Sequence, residues 1–217
     1  MSGNQNNRNF QREMDCLIEK QKSEGIVPTL FLHSCCAPCS SYVLEYLSEY
    51  FRITVYYYNP NIYPPREYGE RTSEVERLIG ELPAKYPISF AAGEYRPELF
   101  YEAVKGHEQD PEGGERCGIC FELRLREAAR LAKEGGYDYF ATTLTISPMK
   151  DAKRLNQIGE ELGKAYGVKY LSSDFKKKNG YKRSTELSRE YGLYRQDYCG
   201  CVFSMRERQA QKEAGGN

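Results

Sequence analysis

The chain contains no tryptophan, only two histidines and no excess of either charge, with Lys+Arg and Asp+Glu at 31 each in 217 residues. Each shortage removes a class of function. With His33 and His107 alone, and neither a Ser-His-Asp order nor a His-Glu-x-x-His run, the sequence encodes no triad hydrolase and no histidine-based zinc protease. No Walker-type glycine loop is present to cradle nucleotide phosphates. Balanced charge means that net charge by itself argues for no polyanionic partner. No stretch approaches the ~20 apolar residues of a membrane span, so no membrane partner is expected. The N-terminal MSGNQNNRNFQREMD lacks the apolar core of a signal peptide, which points to the cytoplasm. Structural disulfides are rare there, and clustered thiols signal metal or catalysis instead.

What the chain has in abundance is cysteine, and seven of its eight cysteines fall in three knots. These are Cys35-Cys36-Ala37-Pro38-Cys39, Cys117-Gly118-Ile119-Cys120 and Cys199-Gly200-Cys201. Two residues between thiols let one turn offer two ligands to one metal, and thiolate softness selects zinc, copper(I) or iron–sulfur. Cys16 stands alone on a helical stretch and reads as an isolated buried thiol. His33, ahead of the first knot, reads as a strand-end residue, and His107 as loop-borne.

Periodicity places the knots. Phe10 to Lys22 has helical spacing through Met14, Leu17 and Ile18. Short β-branched or aromatic runs at Thr29–His33, Ile53–Tyr58, Ile88–Ala92, Tyr137–Leu144 and Val168–Leu171 predict five strands. Helical segments are expected at 41–50, 67–82, 98–105, 117–133, 151–166 and 185–191. Alternating strands and helices imply βαβ units, so the expected fold is α/β: one domain with a mostly parallel five-stranded sheet flanked by helices. The expected limits are an N-terminal helical extension over 1–28, a catalytic α/β domain with the metal site over 29–206, and a flexible tail over 207–217. Ligands in such sheets bind at the carboxyl ends of strands near the switch point, where both the first knot and Thr142–Pro148 fall.

Two knots are expected at helix starts, Cys117-x-x-Cys120 on one helix face and the first knot at a strand-to-helix turn, where helix dipoles favour thiolate. Neighbouring Cβ atoms point apart, so Cys35 and Cys36 are expected to diverge and to serve two centres. Cys199-Gly200-Cys201 suits a dithiol switch or one ligand for each of two metals. A structural zinc site is the main competing reading. The run Lys176–Arg183 is locally basic, and a solvated loop is its plainest meaning. Nineteen tyrosines serve cores, interfaces and base stacking alike.

Taken together, the first knot, Tyr57-Tyr58-Asn59-Pro60-Asn61-Ile62, Arg116-Cys117-x-x-Cys120, Ser147-Pro148-x-Lys150 and Tyr194-Arg195-Gln196-x-Tyr198-Cys199-Gly200-Cys201-Val202-Phe203-Ser204 resemble the cobalamin-independent epoxyqueuosine reductase family (QueH-type). The likeness runs from about residue 29 to 206. It implies the last step of queuosine synthesis: two-electron reduction of the epoxide to an alkene, on tRNA with a GUN anticodon carrying epoxyqueuosine at the wobble position. It also implies a 4Fe–4S cluster, a redox-active cysteine pair or a second iron beside it, and an external electron donor.

Carried onto this chain, the resemblance gives Cys35, Cys36, Cys117 and Cys120 as the preferred cluster ligands. Cys199 and Cys201 become the catalytic redox pair or, with Cys39, second-metal ligands. An alternative split puts one of Cys35/Cys36 and one of Cys199/Cys201 on the cluster with Cys117 and Cys120. Under this reading Lys176, Lys177, Lys178, Lys182, Arg183 and Arg195 become tRNA-backbone contacts, Tyr57 or Tyr63 could stack on a splayed base, and Asp151, Asp197 and Tyr198 are candidate proton donors. The same topology also suits a tRNA-thiolating or other iron–sulfur tRNA-modifying enzyme of nucleotide alpha-hydrolase (HUP-like) architecture, although His33–Ser40 lacks the glycines of a phosphate loop. A non-enzymatic, zinc-stabilised RNA-binding module is the third reading.

Overall fold

A computed structural model describes residues 8–215. Five strands, β1 (Thr29–Ser34), β2 (Arg52–Tyr57), β3 (Ile88–Ala92), β4 (Tyr139–Thr142) and β5 (Lys169–Tyr170), form one parallel sheet in the order β3-β2-β1-β4-β5. Eight helices surround or extend it: α1 (Phe10–Ser23), α2 (Ala37–Leu47), α3 (Pro65–Glu81), α4 (Pro97–Ala103), α5 (Glu115–Glu134), α6 (Ala152–Tyr166), α7 (Gly180–Glu190) and α8 (Val202–Ala214). The chain leaves β1 outward to β3, returns past β1 to β4, and continues to β5. The switch point therefore lies between the carboxyl ends of β1 and β4.

The strand period of two explains the two cores. Leu30 and Leu32 of β1 point to one face, where they join Met14 and Ile18 of α1, Leu44 of α2 and Leu78 of α3. Phe31 points to the other, against Leu125 and Ala128 of α5 and Leu155 and Leu162 of α6. A strand buried on both faces must be apolar throughout, as Leu30-Phe31-Leu32 is. Helix α1, expected as an extension, thus contributes side chains to the central core.

Several boundaries differ from expectation. Helix α2 begins at Ala37, inside the first knot, with Pro38 in its first turn. Strand β4 stops at Thr142, and a single 3-10 turn, Thr143–Ile146, follows. Helix α7 begins at Gly180, where a Cβ would lie 2.0 Å from the Phe175 carbonyl oxygen and 2.4 Å from the Tyr42 ring. Residues 207–214, expected to be a flexible tail, belong to α8; residues 216 and 217 lie outside the described residues. Cys16 is exposed rather than buried, because it sits on the solvent side of α1 opposite Met14 and Ile18.

Candidate metal and thiol site

All three knots stand at helix N-termini. Cys36 is the N-cap of α2, Cys117 lies in the first turn of α5 with Cys120 one turn on, and Cys201 is the N-cap of α8. The Cys201 sulfur accepts from the Ser204 backbone N–H at 3.4 Å, and the Cys117 sulfur from Gly113 at 3.2 Å. Three helix dipoles thus present their positive ends to sulfur, one more than the spacing predicts.

The first knot gathers into a triad. Cys35 and Cys36 place their sulfurs 3.8 Å apart, and all three sulfurs of Cys35, Cys36 and Cys39 lie within 4.8 Å of one another. The expectation that the vicinal pair diverges is corrected here. The chain bends at Cys35 as it leaves β1, so strand alternation no longer applies. A tetrahedral ion with metal–sulfur bonds of about 2.3 Å needs sulfurs about 3.8 Å apart, which the vicinal pair already provides. Hydrogen bonds from Cys35 and Cys39 hold the Cys36 thiol well below its ordinary pKa. The bond to Cys36 pushes the Cys35 thiol up, and the bonds to Cys35 and Cys36 push the Cys39 thiol up. Cys35 also meets the turn after β4, its sulfur 3.5 Å from the Thr143 hydroxyl.

The other four thiols, Cys117, Cys120, Cys199 and Cys201, line a second, narrower crevice between α5 and the start of α8. Burial pushes the Cys120 thiol up to about 12 and raises Cys117 and Cys201 as well. Cys199 also lines the larger cavity, of about 360 Å³, that opens over the triad. The geometry therefore groups the thiols as three and four, with Cys199 at the junction, and does not bring Cys35 and Cys36 into the crevice of Cys117 and Cys120.

Around this sulfur lie cations that sequence reading gave no role. Arg71, Arg116 and Arg124 are each 2% exposed and are the largest fully buried side chains. Arg71 pairs with Glu67 at 2.7 Å and donates to the Cys199 carbonyl at 3.3 Å. Arg116 pairs with Glu207 at 2.7 Å, tying α5 to α8. Each of the three leaves one guanidinium nitrogen without a partner. Lys150 lines the larger cavity; burial works against its ammonium, but the nearby sulfurs of Cys199, Cys35 and Cys39 outweigh this and raise its pKa. Buried cations are stable only beside anions, so this surround is built for several thiolates, as a soft-metal centre requires. Arg124 was legible in principle, because it follows Cys120 by four residues and so shares its helix face.

Other expected residues are placed differently. Asp151 caps α6, accepting from the backbone N–H of Lys153 and Arg154. It is a structural cap rather than a proton donor. Asp197 lines the larger cavity but is bound to Lys212. The Tyr198 hydroxyl donates to the Tyr63 carbonyl at 2.7 Å. Tyr57 is fully buried in the core and cannot stack on a base; Tyr63 is exposed, and its N–H binds the Gly200 carbonyl at 2.8 Å. Much of the basic run is paired. Lys176 binds Asp174 at 3.2 Å, Lys178 binds Asp15 at 2.7 Å and Arg183 binds Glu45 and Glu190, each at 2.7 Å. Lys177 and Lys182 stand exposed, and Arg195 lines the larger cavity. His33 is fully buried between the Thr142 hydroxyl and the Tyr58 carbonyl; burial lowers its pKa to about 3, so it is a neutral structural residue as expected.

Comparison with known proteins identifies the family. The sequence model of the family described as "Epoxyqueuosine reductase QueH" matches residues 30–207. Proteins of that name from Streptococcus pyogenes serotype M1 and Staphylococcus epidermidis are 45% and 43% identical, each over 90% of this chain and over 78% and 84% of their own lengths. The one from Thermotoga maritima is 36% identical over 83% of this chain and 92% of its own. A solved structure titled as a predicted subunit of tRNA methyltransferase from Methanocaldococcus jannaschii aligns with 74% of this chain and 76% of its own, at 14% identity and a TM-score of 0.46. The chain belongs to the epoxyqueuosine reductase QueH family, and is an oxidoreductase.

Proposed function

We propose that this chain reduces epoxyqueuosine in tRNA to queuosine, with the four thiols of the crevice holding a 4Fe–4S cluster and the triad holding a second iron. The observation that carries the reading is the pair of adjoining thiol groups, three and four, enclosed by buried cations. Seven thiols exceed the four ligands of one cluster, and a triad whose sulfurs lie within 4.8 Å of one another suits a single ion. Bound iron supplies one-electron transfer at the cluster and Lewis acidity at the second ion.

The overall change consumes two electrons and two protons, cleaves both C–O bonds of the epoxide, forms the alkene and releases water. The cavity of about 360 Å³ has the size of a small-molecule pocket and opens directly over the triad. Lys150 brings a fixed positive charge to this cavity, where negative charge develops on oxygen as a C–O bond breaks. Tyr181, 42% exposed at the rim, offers a stacking face for a splayed base. Arg195 and Arg208 on the same rim, with the exposed Lys177 and Lys182 beside it, suit phosphate contacts, and such contacts weaken with salt.

The test is anaerobic purification with iron and sulfide analysis, followed by single-turnover reaction with epoxyqueuosine-containing tRNA and mass spectrometry of its nucleosides. Cys199→Ala and Cys201→Ala are expected to lose bound iron and to stop conversion. A colourless zinc protein, or wild-type turnover in either variant, contradicts the reading.

A further inference from the structure

We infer that Arg124 is the positioning residue that ties the two thiol groups into one charge-coupled site and sets the electron affinity of the centre bound there. The inference rests on the metal-binding reading above. Arg124 is the only one of the three buried arginines with no carboxylate partner among the described residues; Arg71 has Glu67 and Arg116 has Glu207. Its guanidinium lines both the larger cavity and the crevice. Nε donates to the Cys120 carbonyl at 3.1 Å, Nη1 to Asn59 Oδ1 at 3.2 Å, and Nη2 has no partner.

Two physical consequences follow. The first is geometric. Asn59 Nδ2 donates in turn to the Ser34 carbonyl at 2.9 Å, so hydrogen bonds run from the Cys117–Cys120 helix through Arg124 and Asn59 to the strand end that leads into Cys35. The plane of the guanidinium thereby fixes one thiol group against the other. The second is electrostatic. A buried, unpaired guanidinium is costly unless anions surround it. Arg124 shares the crevice with Cys117, Cys120, Cys199 and Cys201 and the larger cavity with Cys35, Cys36 and Cys39, so thiols of all three knots surround it and become its anions when they bind metal as thiolates. Reduction of a thiolate-bound centre adds negative charge, which a nearby fixed cation favours. Removing that cation moves the midpoint potential to more negative values.

The experiment compares wild type, Arg124→Gln and Arg124→Lys after anaerobic reconstitution with iron and sulfide, reading iron per chain and midpoint potential by EPR-monitored titration. The Gln variant is expected to hold less iron, and what it holds to titrate at a more negative potential; the Lys variant, which keeps the charge but not the planar fork, is expected to stay nearer the wild-type potential. A Gln variant with full iron at the wild-type potential overturns the inference. So does a Lys variant shifted as far as the Gln one. If the wild type takes up no iron and sulfide, the cofactor reading fails by itself, and Arg124 is then tested with cobalt(II) alone. The Gln variant should bind cobalt(II) through thiolate at least tenfold more weakly, and equal affinity overturns the inference. Circular dichroism of each apo variant, with Arg124→Lys as the gentler change, separates misfolding from loss of the site.

Discussion

Lys150 and Asp151 are neighbours in sequence with opposite assignments. Asp151 spends its carboxylate on two backbone N–H groups at the start of α6 and is not among the residues lining the larger cavity. Asp151→Ala is therefore expected to cost about 1 kcal/mol of stability, the usual worth of an N-cap, with single-turnover reduction unchanged. Lys150 lines that cavity, and its ammonium hydrogen-bonds no described group. Its positive charge is balanced by thiol sulfur rather than by a carboxylate. Lys150→Met should lower the single-turnover rate by about a hundredfold, the effect of removing one preorganised electrostatic contact, while iron content stays near wild type. Loss of rate in the Asp151 variant, or an unimpaired Lys150 variant, reverses this division of roles.

At the scale of elements, Gly180 fixes how α7 meets α2, because a Cβ there collides with the Phe175 carbonyl and the Tyr42 ring. A backbone oxygen cannot swing aside as a long side chain can, so Gly180→Ala is expected to destabilise by about 1–3 kcal/mol, read as a lowered urea midpoint. That start of α7 was hidden in the sequence. Its first turn is basic and opens on a glycine, and its apolar side contributes only Leu187 to the core. The five strands were legible for the opposite reason: short apolar and β-branched runs buried on both faces leave a continuous signal, as in Leu30-Phe31-Leu32. The three knots were legible as sulfur chemistry from spacing alone. Their grouping was not, because it depends on the bend at Cys35 and on the packing of α8 against α5 through Arg116 and Glu207. Arg71 and Arg124 escaped notice because a charged residue on a helix is ordinarily a solvated one, and only tertiary burial shows otherwise.

For the molecule as a whole, the sulfur site joins segments that are distant in the chain. Its thiols come from residues 35–39, 117–120 and 199–201, each at the head of a different helix. A bound metal centre therefore acts as a clasp on the fold, and its binding free energy adds to stability in proportion to occupancy. The gain should not be uniform. The sheet and helices α2, α3, α5 and α6 have two apolar cores of their own. Helix α8 buries only Val202 and Ser204, beside its N-cap Cys201, and beyond its first turn the Arg116–Glu207 pair holds it to α5. Its remaining length is exposed and gains little from propensity alone, since a helix of 13 residues is marginal in water. Hydrogen exchange of apo and iron-loaded protein should therefore show the largest protection on loading in peptides covering 199–214, with β1 and β4 nearly unchanged. Arg116→Met should raise exchange of α8 in both forms, because it removes both the ion pair to Glu207 and the guanidinium packed over the Phe203 ring in the helix's first turn. Equal protection along the whole chain would mean that the centre stabilises the fold globally, and that α8 is held by something other than its first turn.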